Sequence, residues 1–146
     1  MEENLEKAKQ LFGKTFCLMQ WQEDGAKSRG EEIMQLEDIE FLLSLQSITH
    51  EEIETIEAPF DLKKLRDLIA EGKKKGMKGL MLWNDTSCIS RKEERYLKRI
   101  GCFVRESGHG SVSWQEVYFS EEDVIRAKVS AFQNLFGSFA GVAHLI

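Results

Sequence analysis

The sequence predicts an α+β (mixed α/β) domain: one central, mostly antiparallel sheet with a β–α–β unit, packed by helices that include a long C-terminal one. Three observations carry this prediction. A sharply bounded helix between Asp61 and Gly76 leads directly into the apolar strand Gly79–Trp83, several other runs have strand length, and Val124–Phe139 presents a broad apolar helical face. The 146 residues contain one proline and no Gly- or Ser-rich tract, so we expect a single domain over residues 1–146.

The helix before Gly76 has the clearest signals in the chain. Asp61 is placed to cap its first turn, and Phe60 and Leu65 have the spacing of a hydrophobic staple. Three lysines occupy its last turn, where the helix dipole favours cations, and Gly76 ends it. The strand that follows immediately predicts a β–α–β unit.

The first sixty residues predict one helix and several strands. Leu5–Phe12 has helical spacing, Thr15–Trp21 is an apolar run of strand length, and the residues 33–36 favour a short strand. Asp38–Gln46 alternates with period two and predicts a strand, but Leu42 interrupts the alternation and a helix over Leu36–Leu45 stays open.

Glu52–Glu57 favours an edge strand, with a capping box between Thr49 and Glu52 that opens a helical turn as the alternative. Near the other end, Ser90 and Glu93 form a second capping box before a short basic helix, whose Leu97 and Ile100 should face inward.

The last third predicts a hairpin and a helix. Strands over Cys102–Glu106 and Val112–Phe119 flank the five-residue loop Ser107–Ser111. Ser120 is placed to cap the C-terminal helix, and the acids of its first turn suit the helix dipole.

Composition and charge narrow the class of protein. The acidic N-terminus does not resemble a signal peptide, no apolar run approaches the roughly 20 residues that span a bilayer, and three widely spaced cysteines give no disulfide framework. We therefore expect a soluble, cytoplasmic protein without membrane contact. A pI near 5.3 argues against nucleic acid as a partner.

The net charge of −5 is unevenly distributed along the chain. Residues 1–60 carry 14 acids and 5 bases, whereas residues 61–111 carry 7 acids and 13 bases. The distribution favours two mutually attractive halves of one fold with solvated helix faces. The alternative is a cationic surface in the middle segment that meets an anionic ligand.

The sequence contains no complete motif for catalysis or metal binding. Cys88 follows a strand near a helix start and is the most plausible reactive thiol, while His109 lies between two glycines in the hairpin loop. The cysteine spacings match no zinc site, so we expect no bound metal. The aromatic side chains near the C-terminus predict either a helix that covers the sheet or a face for a protein partner or self-association; these are Phe132, Phe136 and Phe139.

The order of elements over Ile53–Phe119 resembles the GNAT family of acyltransferases. The segments that correspond to elements of that family are the helix Leu62–Gly76, the strand Leu80–Trp83, the helix Arg91–Gly101 and the final strand Val112–Phe119. The segment Tyr96–Cys102 is similar to the aromatic-rich stretch ending in Leu-Gly-Phe on that family's short helix.

The resemblance implies an antiparallel meander before these elements and acyl-CoA as the cofactor. The family binds the CoA pyrophosphate with a Gln/Arg-x-x-Gly-x-Gly/Ala turn before its long helix. Here that turn is Ala58–Lys63, which lacks glycine and contains Asp61. The family's frequent tyrosine acid corresponds to Leu97, one position from Tyr96, so the resemblance makes Tyr96 a third catalytic candidate beside Cys88 and His109.

Two functions follow from these observations as expectations. The first is a non-catalytic ligand- or protein-binding domain without a cofactor, able to self-associate through its C-terminal helix. The second is a divergent GNAT-like acyltransferase, in which Lys63 and Lys64 at the helix start lie near the anionic acyl-CoA. Whether the protein is an enzyme stays open at this point.

Overall fold

A computed structural model describes residues 2–14, 16–17, 32–83, 88–109 and 112–138 and confirms the α+β class. The chain divides into two compact units, one formed by residues 1–47 with 125–146 and the other by residues 48–124. The elements in chain order are α1 (Glu3–Phe12), β1 (Phe16–Cys17), β2 (Glu32–Ile33), α2 (Leu36–Ser44), a 3₁₀ turn (His50–Glu52), β3 (Ile53–Ile56), α3 (Leu62–Lys74), β4 (Gly79–Leu82), α4 (Arg91–Arg99), β5 (Phe103–His109), β6 (Val112–Tyr118) and α5 (Glu121–Ser138).

The second unit contains a four-stranded sheet in the order β3–β4–β6–β5. The first two strands are parallel and are connected through α3, while β6 pairs antiparallel with both of its neighbours. The predicted β–α–β unit is therefore confirmed, and two of the three strand pairs are antiparallel. The edge strand over Glu52–Glu57 is confirmed as β3, and its open alternative is present as well, because Glu52 accepts the backbone N–H of Thr49 at 2.9 Å.

One face of this sheet packs against α3 and α4. Leu65 and Ile69 of α3, together with Leu97 of α4, share a buried cluster with alternate residues of β4 and β6. Val117 belongs to that cluster, so its neighbours Glu116 and Tyr118 lie on the other face of the sheet. The apolar stripe of each helix thus fixes it on the sheet and leaves its polar side outward.

The cap, staple and terminal glycine predicted for α3 are present in the structure. The Asp61 carboxylate accepts the Lys64 backbone N–H at 2.8 Å, and both members of the predicted staple, Phe60 and Leu65, are buried in the cluster. Gly76 has φ +82°, the left-handed conformation that glycine adopts without strain.

The first unit consists of α1, the pair β1–β2, α2 and the part of α5 from Ile125 onward. α1 buries Leu5, Ala8 and Leu11. Gln133 of α5 donates hydrogen bonds from Nε2 to the carbonyls of Leu42 and Leu45, at 3.0 and 2.9 Å, and so satisfies acceptors at the end of α2.

The strand predicted over Asp38–Gln46 is wrong, and the helix left open over Leu36–Leu45 is the element present. Residues 36–44 form α2, because Ile39 and Leu42 are buried at helical spacing and acids stabilise the first turn. β1 and β2 pair parallel. Of the predicted strand Thr15–Trp21, Phe16 and Cys17 are in β1 and the remainder lies outside the described residues.

Two further corrections concern α4 and the hairpin. Ile100 is 43 % exposed and does not face inward, because the helix ends at Arg99 and Ile100 is its C-cap. β5 continues to His109, which pairs with Val112, so Ser107–Ser111 is not a five-residue loop. Both capping predictions are confirmed, since the Ser90 hydroxyl accepts the Glu93 N–H at 3.2 Å and the Ser120 hydroxyl accepts the Asp123 N–H at 3.1 Å.

Candidate functional site

The outer side of α3 presents a row of cations. Lys63, Arg66 and Lys73 follow one another at intervals of three and seven residues, which places them on one side of a helix, and all three are exposed. Leu65 and Ile69, which are buried against the sheet, lie on the neighbouring side of the helix. Burial of the apolar stripe therefore directs the cations away from the core.

α4 presents a matching row beside it. Lys92, Arg95 and Arg99 are spaced by three and four residues and are exposed. The Arg66 guanidinium of α3 lies 5.7 Å from the ring centroid of Tyr96, a cation–π contact that joins the two helices. We call the surface formed by both rows the cationic face; its members are Lys63, Arg66, Lys73, Lys92, Arg95 and Arg99.

Lys73, in the last turn of α3, lies at one end of the cationic face. Its ammonium lies 6.0 Å from the ring centroid of Phe119. Burial raises the pKa of the Cys102 thiol, and the nearby charge of Lys73 opposes that shift. Lys73 is thus close to the chain that leaves α4.

The charge of this face is not neutralised locally. Each of the two helices carries five Lys or Arg residues against two carboxylates, a net of +3. Glu71 contacts Lys75 at 3.5 Å, and Glu93 accepts the Ser90 N–H at 3.0 Å, so each of these carboxylates already has a partner. Within the part of the chain that the structure describes, no residue of the cationic face forms an ion pair.

A second cluster of functional groups lies on the other face of the sheet, around Glu116. Its Oε1 accepts hydrogen bonds from the Tyr118 hydroxyl at 2.8 Å and from the Arg105 guanidinium at 3.0 Å. Its Oε2 accepts the indole N–H of Trp114 at 2.7 Å. The ring of Trp114 in turn stacks on that of Trp83, with centroids 5.5 Å apart and planes at 23°.

This cluster stabilises the sheet and offers no free reactive group. Glu116 and Tyr118 are buried, and Arg105 pairs with Glu116 across β5 and β6. Burial, followed by the charge of Glu116, raises the pKa of the Tyr118 hydroxyl far above its usual range, so the phenol stays protonated. Among the described residues, every buried side-chain nitrogen or oxygen has a hydrogen-bond partner.

The predicted catalytic candidates lie on different parts of the second unit. Cys88 is an exposed free cysteine before the N-cap of α4. Tyr96 is partly buried against the α3–α4 core, where its ring contacts Arg66. His109 is the last residue of β5. The three positions thus belong to different elements, and the described contacts of Tyr96 are structural.

The predicted cofactor-binding residues surround an occupied helix start. Lys63 and Lys64 are exposed in the first turn of α3, and the Lys64 ammonium donates to the Pro59 carbonyl at 3.3 Å. Asp61 already accepts a backbone N–H of this turn. β3 and β4 pair along all four residues, and the Trp83 N–H continues the ladder to the Ile56 carbonyl at 3.3 Å.

The predicted interface residues are only partly available. Phe132 is 8 % exposed, so its ring is buried within the chain. Phe136 lies in α5, and Phe139 lies outside the described residues. Leu135 is 46 % exposed on the same helix. The apolar face of α5 is therefore buried at Phe132 and does not offer that ring to a partner.

Sequence reasoning left a cationic surface in residues 61–111 as an alternative without assigning its two rows, and it missed the Glu116 cluster. The cationic rows had a readable signal, because positions 63, 66 and 73 and positions 92, 95 and 99 repeat at helical intervals. The Glu116 cluster had a weaker one, the alternation of Trp114, Glu116 and Tyr118 along a strand. Arg105 joins that alternation only through strand register.

The described residues contain no group of three or more His, Cys, Asp or Glu side chains able to hold a metal ion. None of the helices in the described ranges is long and apolar enough to cross a membrane. Comparison of the chain with protein-family models, with curated proteins and with solved structures finds no match.

Proposed function

We propose that this chain is a non-catalytic binding domain that recognises an acidic protein surface through the cationic face of α3 and α4. The observation that carries the proposal is the pair of exposed cation rows, held side by side and without ion-pair partners in the described chain. Long cationic side chains that are not neutralised locally attract a surface of opposite charge and accelerate its association.

Binding in place of catalysis is supported by the state of the buried polar groups. Both carboxylate oxygens of Glu116 are engaged by donors from the same sheet, and the Tyr118 phenol is one of those donors. A general base needs a free lone pair directed at substrate, and a nucleophile needs an adjacent base. The arrangement of Glu116 and Tyr118 therefore supports the interpretation that the sheet is a fixed scaffold for the binding helices.

An acidic protein partner is favoured over nucleic acid by the pattern of charge. Asp67 and Glu94 are exposed on the same two helices, among the cations. Such carboxylates repel a phosphate backbone. On a protein partner they can pair with cations and so help to fix how the two surfaces align.

The test is binding of a fluorescently labelled, glutamate-rich peptide, followed by anisotropy at about 50 mM salt, where surface charges are weakly screened. We expect the double variant Arg95→Glu/Arg99→Glu to bind at least roughly tenfold more weakly than the unmodified chain. The matched control is Lys14→Glu/Lys128→Glu, which changes the net charge equally at two exposed cations of the first unit. Equal losses in both variants would show that net charge, and not the cationic face, determines binding.

A second candidate function, acyl transfer from acyl-CoA, is favoured by one observation. The second unit has the order strand, long helix, strand, short helix and hairpin that the GNAT resemblance implies. Its helix start is less suited to a pyrophosphate, because the Asp61 carboxylate accepts the Lys64 N–H and repels anions.

Calorimetric titration with an acyl-CoA separates this candidate from the first. The proposed binding domain predicts no heat of binding at about 1 mM ligand, a concentration at which even contacts worth about 4 kcal/mol become visible. Binding by the unmodified chain that strengthens in Asp61→Ala, where the amide is freed, would establish the acyltransferase candidate instead.

A further inference from the structure

We infer that the acidic partner of the cationic face is a second copy of this chain, which contacts it through the exposed side of α2. This inference rests on the proposed binding function and names its partner. Its starting point is that residues 1–60 are strongly acidic while residues 61–111 are strongly basic, so that each copy carries both members of a complementary pair.

The structure places a compact acidic surface on α2. Glu37 and Glu40 are three residues apart and exposed, and Leu36 and Leu43 lie on the same side at intervals of four and three residues from Glu40. Leu36 is 56 % exposed and Leu43 is 40 % exposed. We call these four residues the acidic face.

The cationic face carries the opposite net charge and has one exposed aliphatic neighbour. Ile100, exposed at the C-cap of α4, directly follows Arg99. The ten cations of α3 and α4 outnumber the four carboxylates of these helices, and each of the two surfaces has an exposed aliphatic side chain beside its charges. Aliphatic contact supplies a short-range attraction, while the opposite charges orient the approach of the two copies.

The contact that these faces predict is heterologous, because one copy uses α2 and the other uses α3 and α4. Each bound copy leaves one face unused, so association produces an open series or a closed ring. This contact does not use Phe132 of α5, which is buried within the chain.

Sedimentation velocity at several protein concentrations tests the association. We expect the average mass to rise with concentration at about 50 mM salt and to return to that of the monomer at about 0.5 M, where the screening length falls to a few Å. A chain that stays monomeric at every concentration at low salt contradicts the inference. The proposed function survives that result when the glutamate-rich peptide still binds.

Neutralising variants identify the two faces. Arg95→Gln/Arg99→Gln removes charge from the cationic face, and Glu37→Gln/Glu40→Gln removes it from the acidic face. We expect each variant alone to be monomeric under conditions where the unmodified chain associates. Lys14→Gln/Lys128→Gln is the matched control and should associate as the unmodified chain does.

Mixing the two variants provides the decisive measurement. The first retains an intact acidic face and the second an intact cationic face, so their mixture should form a heterodimer that stops at one copy of each. Absence of this heterodimer, with the unmodified chain still associating, overturns the inference. Far-ultraviolet circular dichroism of each variant verifies that these exposed substitutions leave the fold intact.

Discussion

Glu116 illustrates how a buried carboxylate contributes to stability through the donors that surround it. Replacing it in Glu116→Gln removes the charge opposite Arg105 and turns one acceptor oxygen into an amide donor, which faces another donor. We expect the free energy of unfolding to fall by about 3 kcal/mol, because Glu116 is buried and its partner Arg105 is partly buried. Urea unfolding followed by tryptophan fluorescence measures this change.

The matched control for that substitution is Glu106→Gln. Glu106 is exposed on β5, next to Arg105 in sequence, and we expect its replacement to change the stability by no more than about 0.5 kcal/mol. If the two variants unfold at the same urea concentration, the Glu116 hydrogen bonds do not stabilise the sheet.

Two glycines test different constraints with the same added methyl group. A Cβ at Gly79 would lie 2.7 Å from Cδ1 of Tyr118 and 2.8 Å from the Val117 carbonyl, whereas at Gly76 it would meet nothing within 4 Å. We therefore expect Gly76→Ala to lower the stability only through the strain of an alanine at positive φ, by about 1 kcal/mol. We expect Gly79→Ala to cost more, about 2–3 kcal/mol, because packed backbone and ring must move. Thermal unfolding of both variants measures the difference, and equal melting temperatures contradict this ranking.

At the scale of the elements, α3 depends on its cap. Asp61→Ala leaves the Lys64 N–H without its acceptor, and we expect a loss of about 1 kcal/mol in stability. Asp61→Asn, which keeps the accepting oxygen, should retain most of that stability. Urea unfolding distinguishes the three proteins, and an Ala variant as stable as the Asn variant shows that solvent replaces the cap.

The same element shows why part of the fold was predictable from sequence. Cap, staple, apolar stripe and terminal glycine of α3 all lie within a few residues of one another, so local sequence contains the whole signal. α2 was mistaken for a strand because Ile39, Phe41 and Leu43 alternate, although burial selects Ile39 and Leu42 at helical spacing. The local sequence fits the strand period of two and the helical period of about 3.6 almost equally well, and burial in the folded chain selects the helix.

The Glu116 cluster was not predictable because it depends on register. A five-residue loop after Glu106 would place Glu106 opposite Val112 and Arg105 opposite Ser113. The observed hairpin pairs His109 with Val112, which brings Arg105 opposite Glu116. Since the register of a hairpin follows its turn, an error of three residues in the loop removes the ion pair from the prediction.

At the scale of the whole molecule, charge is arranged by region. The acids of residues 1–60 include the acidic face of α2, and the bases of residues 61–111 include the cationic face. The sequence alone left two alternatives for this distribution, attraction between two halves of one fold or a cationic surface that meets an anionic ligand. The proposed contact between copies is a case of the second alternative. Both faces are exposed in the described chain, as the proposed contact between copies requires.

The stability of the folded chain should also depend on alkaline pH through Tyr118. Its pKa is raised in the folded state, so above the usual tyrosine pKa of about 10 the unfolded chain loses a proton that the folded chain keeps. The unfolded state then binds fewer protons, and the free energy of unfolding falls as pH rises, by about 1.4 kcal/mol per pH unit from this residue. Below about pH 10 the contribution is fully present.

Tyr118→Phe isolates this effect from the titration of other groups. Without the hydroxyl, we expect the variant to be about 1 kcal/mol less stable at neutral pH and to show a shallower alkaline loss than the unmodified chain. The buried Cys102 thiol, whose pKa is also raised, gives a loss of the same sign in both proteins, so it cancels in their comparison. Urea unfolding between about pH 8 and about pH 11 measures the two slopes, with Tyr96→Phe as the tyrosine control. Parallel slopes for Tyr118→Phe and the unmodified chain would show that the Tyr118 phenol ionises as readily in the folded state as in the unfolded one.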